Sequence, residues 1–415
     1  MVGGGKRTRP RPPLLTLGAA FRQLEAEVPM DARAAVRERV AASRDRLVAL
    51  SHRIHAHPEL AFEEERASTW CAEALDAAGF TVERGACDLP TAFVARAGSG
   101  PLHLALCAEY DCLPGIGHAC GHNLIAAIAV GAGVAAARVA DDVGLTVSVV
   151  GTPAEERGGG KILLLERGAF AGVHAAMMVH PAPVDVAEPA TLAWWEFEVR
   201  YTGKSAHASA FPEFGINAAD ALTVAQTAIG LLRQHIRQGD RIHGIVTDGG
   251  DAPNVVPAHA AADYIVRART LAELGEIRGK VLRCFEAGAL ATGATLEVKP
   301  SGEPYAEVQH DAQLAAVYRR NAEALGRSFP DLGVLLERAA ASTDMGNVSH
   351  ALPSIHPMIG SASLPAVNHQ PEFAAHCATA AADQAVADGA LALAWTALDV
   401  ACDPALVARL CARGR

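Results

Sequence analysis

The sequence has no surplus of basic charge: 36 lysines and arginines stand against 46 aspartates and glutamates, a formal charge of −10. That balance argues against nucleic acid or an anionic membrane as a partner. The chain also shows no apolar run of the roughly 20 residues a membrane span needs. Its longest weakly polar stretch, Leu124 to Ala137, is rich in Ala and Gly and stops at Arg138. The nine cysteines are odd in number, scattered and set mostly in apolar surroundings. This pattern argues against a disulfide framework and predicts reduced thiols in a cytoplasmic protein. No secretory leader is expected either: the opening MVGGGKRTRPRPPLLTLG mixes Gly, Pro and basic residues without a long apolar core or a small-residue cleavage site. Residues 1–28 are read as a disordered tail. No solenoid-type repeat is found.

What is present is ample core material. Half of the 415 residues are hydrophobic and a fifth are charged, which suits a soluble enzyme of two domains. A helix is expected over Asp31–His55, capped by Asp31, and a second after HAHPELAFEEE, carrying Trp70 and Cys71. Strand-like runs at Leu102–Ala108, Leu145–Val150 and Ala175–Val179 alternate with helical Leu124–Val139 and a helical stretch around Lys161–Phe170. This is β-α-β-α-β, the order of a parallel sheet with covering helices.

From Trp194 the pattern becomes β-α-β-β-α-β: an alternating strand, a helix over Ile216–Arg237, strands at Arg241–Asp248 and His259–Arg269, a helix over Leu271–Leu290 and a strand at Thr295–Pro300. That is the order of a ferredoxin-like module inserted into the first domain. After Gly302 the chain is expected to return, with a helix over Asp311–Leu325, a loop at 341–350, a strand at Ser354–Ile359, the stretch LPAVNHQPEF and a long Ala-rich helix ending near Val400. The fold class is therefore α/β, with a mixed, mainly parallel sheet, helices on both faces, and an inserted α+β module. The domains are 29–190 with 302–415, and 191–301.

Chemistry concentrates in LHLALCAEYDCLPGIGHACGHN, residues 102 to 123, where an apolar run ends among Glu109, Asp111, Cys120, His122 and Asn123. In parallel sheets ligands bind beyond the carboxyl ends of the strands, so Cys120 and His122, the pair Glu155-Glu156, and His180 should converge. With His369 they offer thiolate, imidazole and carboxylate groups for two divalent ions, which together polarise a carbonyl and generate hydroxide near neutral pH. A thiolate favours zinc; the other groups also accept manganese, cobalt or nickel. With Glu156 as a ligand, Glu155 points elsewhere and can act as the base. An EE pair alone is usually a solvated face; its place between Pro153 and a Gly-rich turn makes it a candidate. Cys120 remains open to reading as a ligand, an inert buried thiol or a nucleophile. His55 and His57 read as loop residues beside the site, and His103, His174, His235, His243 and His350 as packing or surface residues.

The motifs HPELAFEE, AEYDCLPGIGHACGHN, GTPAEERGGGK, MMVHP, GKSAHASAFPEFGINAADAL, APNVVP, STDMGNVSH and VNHQPEF together resemble the amidohydrolase branch of the aminoacylase/carboxypeptidase metallopeptidases, peptidase family M-20. The pattern is nearest to its p-aminobenzoyl-glutamate hydrolase and β-alanyl-lysine dipeptidase types. The resemblance implies Cys120, His122, Glu156, His180 and His369 as metal ligands and Glu155 as general base. It further implies that His207 reaches a partner subunit's site to stabilise the oxyanion, and that the inserted module serves as lid and joins a homodimer. Asn254 matches a substrate-contacting position. Arg267 or Arg269 would suit a substrate carboxylate, and Glu109, Asp111, Asn123 and Asp344 would support the site. Asn123 stands where many aminoacylases of the branch have Asp, and Glu109 where other branches have a metal-binding His. The activity implied is metal-dependent hydrolysis of an N-acyl, N-aroyl or aminoacyl amino acid. Rival readings are a dipeptidase or biosynthetic deacylase on one pathway intermediate, a thiol hydrolase using Cys120, and a non-catalytic binding protein on the same scaffold.

Overall fold

The computed structural model describes residues 30–333 and 340–413, so the expected tail at 1–28 lies outside the described residues. Val36, Val40, Leu47, Leu50 and Ile54 recur at helical spacing and are all buried, which makes α1 (Met30–His55) a core helix. There follow α2 (Glu65–Asp76), β1 (Thr81–Arg84), β2 (Phe93–Ala97), β3 (Leu102–Ala108), α3 (His122–Ala137), β4 (Leu145–Gly151), α4 (Gly160–Glu166), β5 (Ala175–Met177) and β6 (His180–Ala182). The hairpin β1–β2 has no counterpart among the expected strands, being too short to display a period. The expected strand Ala175–Val179 instead ends at Met177, and β6 belongs to a separate ribbon.

The inserted module comprises β7 (Ala193–Thr202), α5 (Ala218–Leu232), β8 (Arg241–Asp248), β9 (His259–Ala268), α6 (Leu271–Thr292) and β10 (Thr295–Pro300). Helix α5 starts later than Ile216 because Asn217 caps it, its side chain accepting from the N–H groups of Ala219 and Asp220. Thr270 caps α6 in the same way, and Gly293, with φ 79°, ends it. The antiparallel order β10-β7-β9-β8 is that of a ferredoxin-like sheet. Buried Trp195, Phe197, Val199 and Tyr201 alternate along β7 and pack against both helices with Phe285 and Val281.

The chain returns through α7 (Ala312–Glu323), capped by Asp311, then α8 (Met345–Ala351), β11 (Ser354–Ile355), β12 (Met358–Gly360), α9 (Pro371–His376), α10 (Ala380–Cys402) and α11 (Pro404–Arg413). Two corrections arise here. The stretch 341–350, expected as a loop, is helical from Met345, and the strand expected over Ser354–Ile359 breaks at His356-Pro357 into pieces that pair with β5 and β6. Pro357 supplies no N–H to a ladder but its carbonyl accepts from the His180 N–H at 2.9 Å.

The main sheet runs β1-β2-β4-β3-β5-β11, with β3 parallel to β4 and β5, and β2 antiparallel to β4. One face carries Leu104, Leu106, Val147, Val149 and Met177 against α3, on whose far side α1 and α10 pack. The other carries Ala105, Cys107, Val150 and Ala176 with Leu164 of α4 and Val348 of α8. Burial on both faces explains why β3 and β4 read as continuous apolar runs. Leu124–Ala137 is not the most extensive apolar segment: α10 is long and apolar enough to cross a membrane by length and composition, yet it packs as a core helix against α1, α3 and α7. In β4, Gly151 leaves room for the Phe93 ring, which an added Cβ would meet at 2.2 Å. Gly151→Ala is therefore expected to destabilise the fold by about 1–3 kcal/mol in urea unfolding; an unchanged midpoint would show that the sheet relaxes freely there.

Candidate active site

The parallel strands end on one edge of the sheet. Glu109 and Asp111 follow β3, Glu155 and Glu156 follow β4, and His180 comes just after β5. The loop after β3 turns back at Gly121, whose φ of 81° is left-handed and whose Cβ, were one present, would lie 2.5 Å from Pro181. Glycine there lets Cys120 and His122 both face His180: Cys120 Sγ is 3.4 Å from His180 Nε2, and the two imidazoles meet edge to face at 5.8 Å. His180 Nδ1–H donates to the Pro181 carbonyl at 2.8 Å, which leaves Nε2 as the lone-pair nitrogen.

The loop after β4 is aimed by Ala154, a non-glycine residue with φ 60°. Its N–H donates to Glu64 Oε1 at 2.8 Å and its carbonyl accepts from Gly159 at 3.0 Å. Glu155 beyond it is buried, and its carbonyl accepts from the Tyr305 hydroxyl at 2.8 Å. Asp111 ties the two loops together, one oxygen accepting from His122 Nδ1 at 2.8 Å and the other from the Glu156 N–H at 2.9 Å. His122 thus presents Nε2 to the site, 3.7 Å from Glu156 Oε1, 3.8 Å from Glu155 Oε2 and 3.4 Å from Glu109 Oε2. His369, also left-handed at φ 67°, is held by its N–H to the Ala119 carbonyl at 2.8 Å and puts Nε2 3.8 Å from Glu156 Oε2. Its side chain is 56% exposed and marks the mouth.

Among the described residues three donor sets result, each with ligand atoms within 4.8 Å of one another: Cys120/His122/His180, Cys120/Glu156/His369 and Glu109/His122/Glu155. His122 Nε2 and Glu156 Oε1 are buried without a hydrogen-bond partner. Buried polar atoms are otherwise almost always paired, so these orphans and the thiol–imidazole–carboxylate chemistry fit divalent cations.

Residues 191–292 match a peptidase dimerisation domain. The chain is 39% identical over 387 residues to the Xaa-Arg dipeptidase of Mus musculus, covering 89% of each. The chain belongs to the M-20 amidohydrolases. It is thus a metal-dependent hydrolase of peptide-like bonds. It is also 36% identical over 281 residues to a p-aminobenzoyl-glutamate hydrolase polypeptide of Escherichia coli, covering 63% of this chain and 58% of that protein. A Bacillus subtilis structure, described as a dinuclear metal-binding peptidase of the M-20 family, shares the fold with a TM-score of 0.66 at 22% identity, over 87% of this chain and 99% of that one.

Within this M-20 site, burial and then the charges of Glu109 and Glu156 hold the Glu155 carboxyl well above the usual range. Burial alone would raise Asp111 too, but the His122 charge and hydrogen bond win and lower it. Burial holds His180 down at about 4, a neutral imidazole able to ligate. Burial and the Glu156 charge push the Cys120 thiol far up, so without a cation it is no thiolate nucleophile.

The remaining expected residues lie outside the donor sets. His207 is exposed on the inserted module, its Nδ1 accepting from the Ala210 N–H at 3.2 Å; Asn254 lies beside it, its carbonyl accepting from the Ala208 N–H at 3.1 Å. Arg267 donates to Ser342 Oγ at 2.8 Å, and its charge helps lower His369, after burial and His122. Asn123 turns from the donor sets to bond Ser51 Oγ and the Cys377 carbonyl, so it pins α3 to α1. Asp344 pairs with Lys161 at 2.6 Å. Reading from sequence overlooked Lys161, Glu64 and His356. The last lies 5.4 Å from the His180 ring, and the repeated His-Pro pairs 180–181 and 356–357 were the signal available. Asp111→Asn should keep the fold but lower zinc affinity about 10–100-fold in a chelator competition, because His122 and the Glu156 loop lose their common acceptor; unchanged affinity would remove Asp111 from this role.

Proposed function

We propose that the protein cleaves the amide bond of dipeptides and of N-acyl or N-aroyl amino acids, with Glu155 as general base and acid. Cys120, His122, Glu156, His180 and His369 would hold two divalent cations. The observation that carries this reading is the pair of donor sets sharing Cys120, with the raised carboxyl of Glu155 buried beside them. Such cations polarise a scissile carbonyl and lower the pKa of the attacking water. Zinc is favoured by the thiol donor; manganese, cobalt and nickel suit the rest. Glu155 takes a proton from the attacking water and returns it to the leaving nitrogen.

His207 completes the site of a second copy in this reading. Support comes from the matched dimerisation domain, from the bonding of its Nδ1 within its own loop, which leaves Nε2–H free to donate to an oxyanion, and from the edge strand β8, where Ile245 and Val246 are exposed. Arg267 and Asn254 are proposed to bind the substrate's carboxyl side. The name of the mouse relative favours dipeptides with a basic C-terminal residue, and nine unpaired cysteines favour the cytoplasm.

The test is amine release from Xaa-Arg and Xaa-Lys dipeptides, N-acetyl amino acids and p-aminobenzoyl-glutamate, with zinc or manganese. Turnover should vanish with a chelator and return with metal. Glu155→Ala should lose about 10²–10⁴-fold in kcat while keeping its metal content. Near-normal turnover in that variant would reject the mechanism, and turnover that resists chelators but falls to thiol alkylation would restore Cys120 as nucleophile.

A further inference from the structure

Lys161 is 0% exposed, and the reaction as proposed above makes no use of it. The Gly-rich turn before α4 delivers it into the site: a Cβ on Gly160 would lie 1.8 Å from the Pro153 carbonyl oxygen, so the turn closes against its own start. Lys161 Nζ lies 2.6 Å from Glu109 Oε1 and 2.6 Å from Asp344 Oδ1, and its N–H donates to Asp344 Oδ2 at 2.8 Å. Glu109 and Asp344 are themselves 0% exposed. An ammonium buried so completely persists only with such partners.

The pairing divides Glu109 between two neighbours. One oxygen faces Lys161; the other faces His122 Nε2 at 3.4 Å, within the set Glu109/His122/Glu155. Two carboxylates and an imidazole are enough to hold a divalent ion. An ion there would take His122 from the Cys120 set and engage the carboxylate that must accept a proton.

We infer that Lys161 is a positioning residue, a resident cation that closes this third donor set and so leaves Glu155 unligated. A divalent ion on Glu109 would meet a fixed positive charge on the far side of the same carboxyl group, whereas among the described residues the sets built on Cys120 have no lysine or arginine paired with their members. The inference rests on the proposed function for the role of Glu155, but not for the count of ions.

The test compares the wild type, Lys161→Met and the double variant Lys161→Met/Glu109→Gln. Each is loaded with excess zinc, desalted, and read for zinc per chain by mass spectrometry and for kcat and KM on one substrate. Lys161→Met should retain more zinc per chain than the wild type and lose about 10–100-fold in kcat. The double variant keeps the wild-type formal charge of the Lys161–Glu109–Asp344 group while dismantling the third set. It should return to the wild-type zinc content and regain most of the kcat. A folded Lys161→Met with wild-type zinc content overturns the inference. Should that single variant fail to fold, a double variant with wild-type zinc content and turnover as low as Glu155→Ala overturns it equally. A wild type inert on every substrate would instead sink the proposed function, with the zinc counts still deciding the question about Lys161.

Discussion

The site hangs on the Asp111 carboxylate. Its two oxygens join the loops after β3 and β4, fixing which nitrogen of His122 faces inward and where the backbone of Glu156 lies. Without that shared acceptor, a thiol, imidazoles and carboxylates drawn from distant parts of the chain would have no common origin. Asp111 can do this because it is fully buried yet held ionised by the histidine it orients. The carboxylate, the Nδ1 edge of the imidazole and the peptide N–H are each satisfied by the others, the condition under which buried polar groups add rigidity at little net loss.

The same enclosure makes the arrangement costly on its own. Glu109, Asp111, Glu155, Glu156 and Asp344 lie close together and largely out of reach of solvent, and burial raises Glu155, Glu156 and Asp344 toward protonation. The chain answers part of this with Lys161 and leaves the rest to cations. A site of this kind ties folding to ion uptake, since the ions bind a geometry the unfolded chain lacks.

Much of this was legible in the sequence because β3 and β4 are buried on both faces and read as apolar runs that stop at reactive residues. The ferredoxin-like module was legible for the opposite reason: β7 has one covered face and alternates strictly. The hairpin β1–β2 and helix α8 were not, being too short for a period to emerge. The break at His356-Pro357 was announced locally by the proline, which brings no N–H to a ladder, but the pairing of the second piece with β6 was not. Lys161 escaped notice because a lysine after a glycine run looks like any surface lysine; only the folded chain brings Glu109 and Asp344 to it. Asn123, which stands amid ligands in the sequence, turns away because the helix starting at His122 rotates it toward α1.

The inserted module touches the catalytic domain through more than its two chain crossings. Trp194 stacks edge to face on Tyr305, whose hydroxyl steadies the Glu155 backbone, and Arg267 holds Ser342, two positions ahead of Asp344. The module thus rests on the neighbours of two buried carboxylates, Glu155 and Asp344, the second of which anchors Lys161. A substitution at Trp194 or Arg267, though it lies in the inserted module, therefore falls one contact away from the backbone of Glu155 or the segment that carries Asp344.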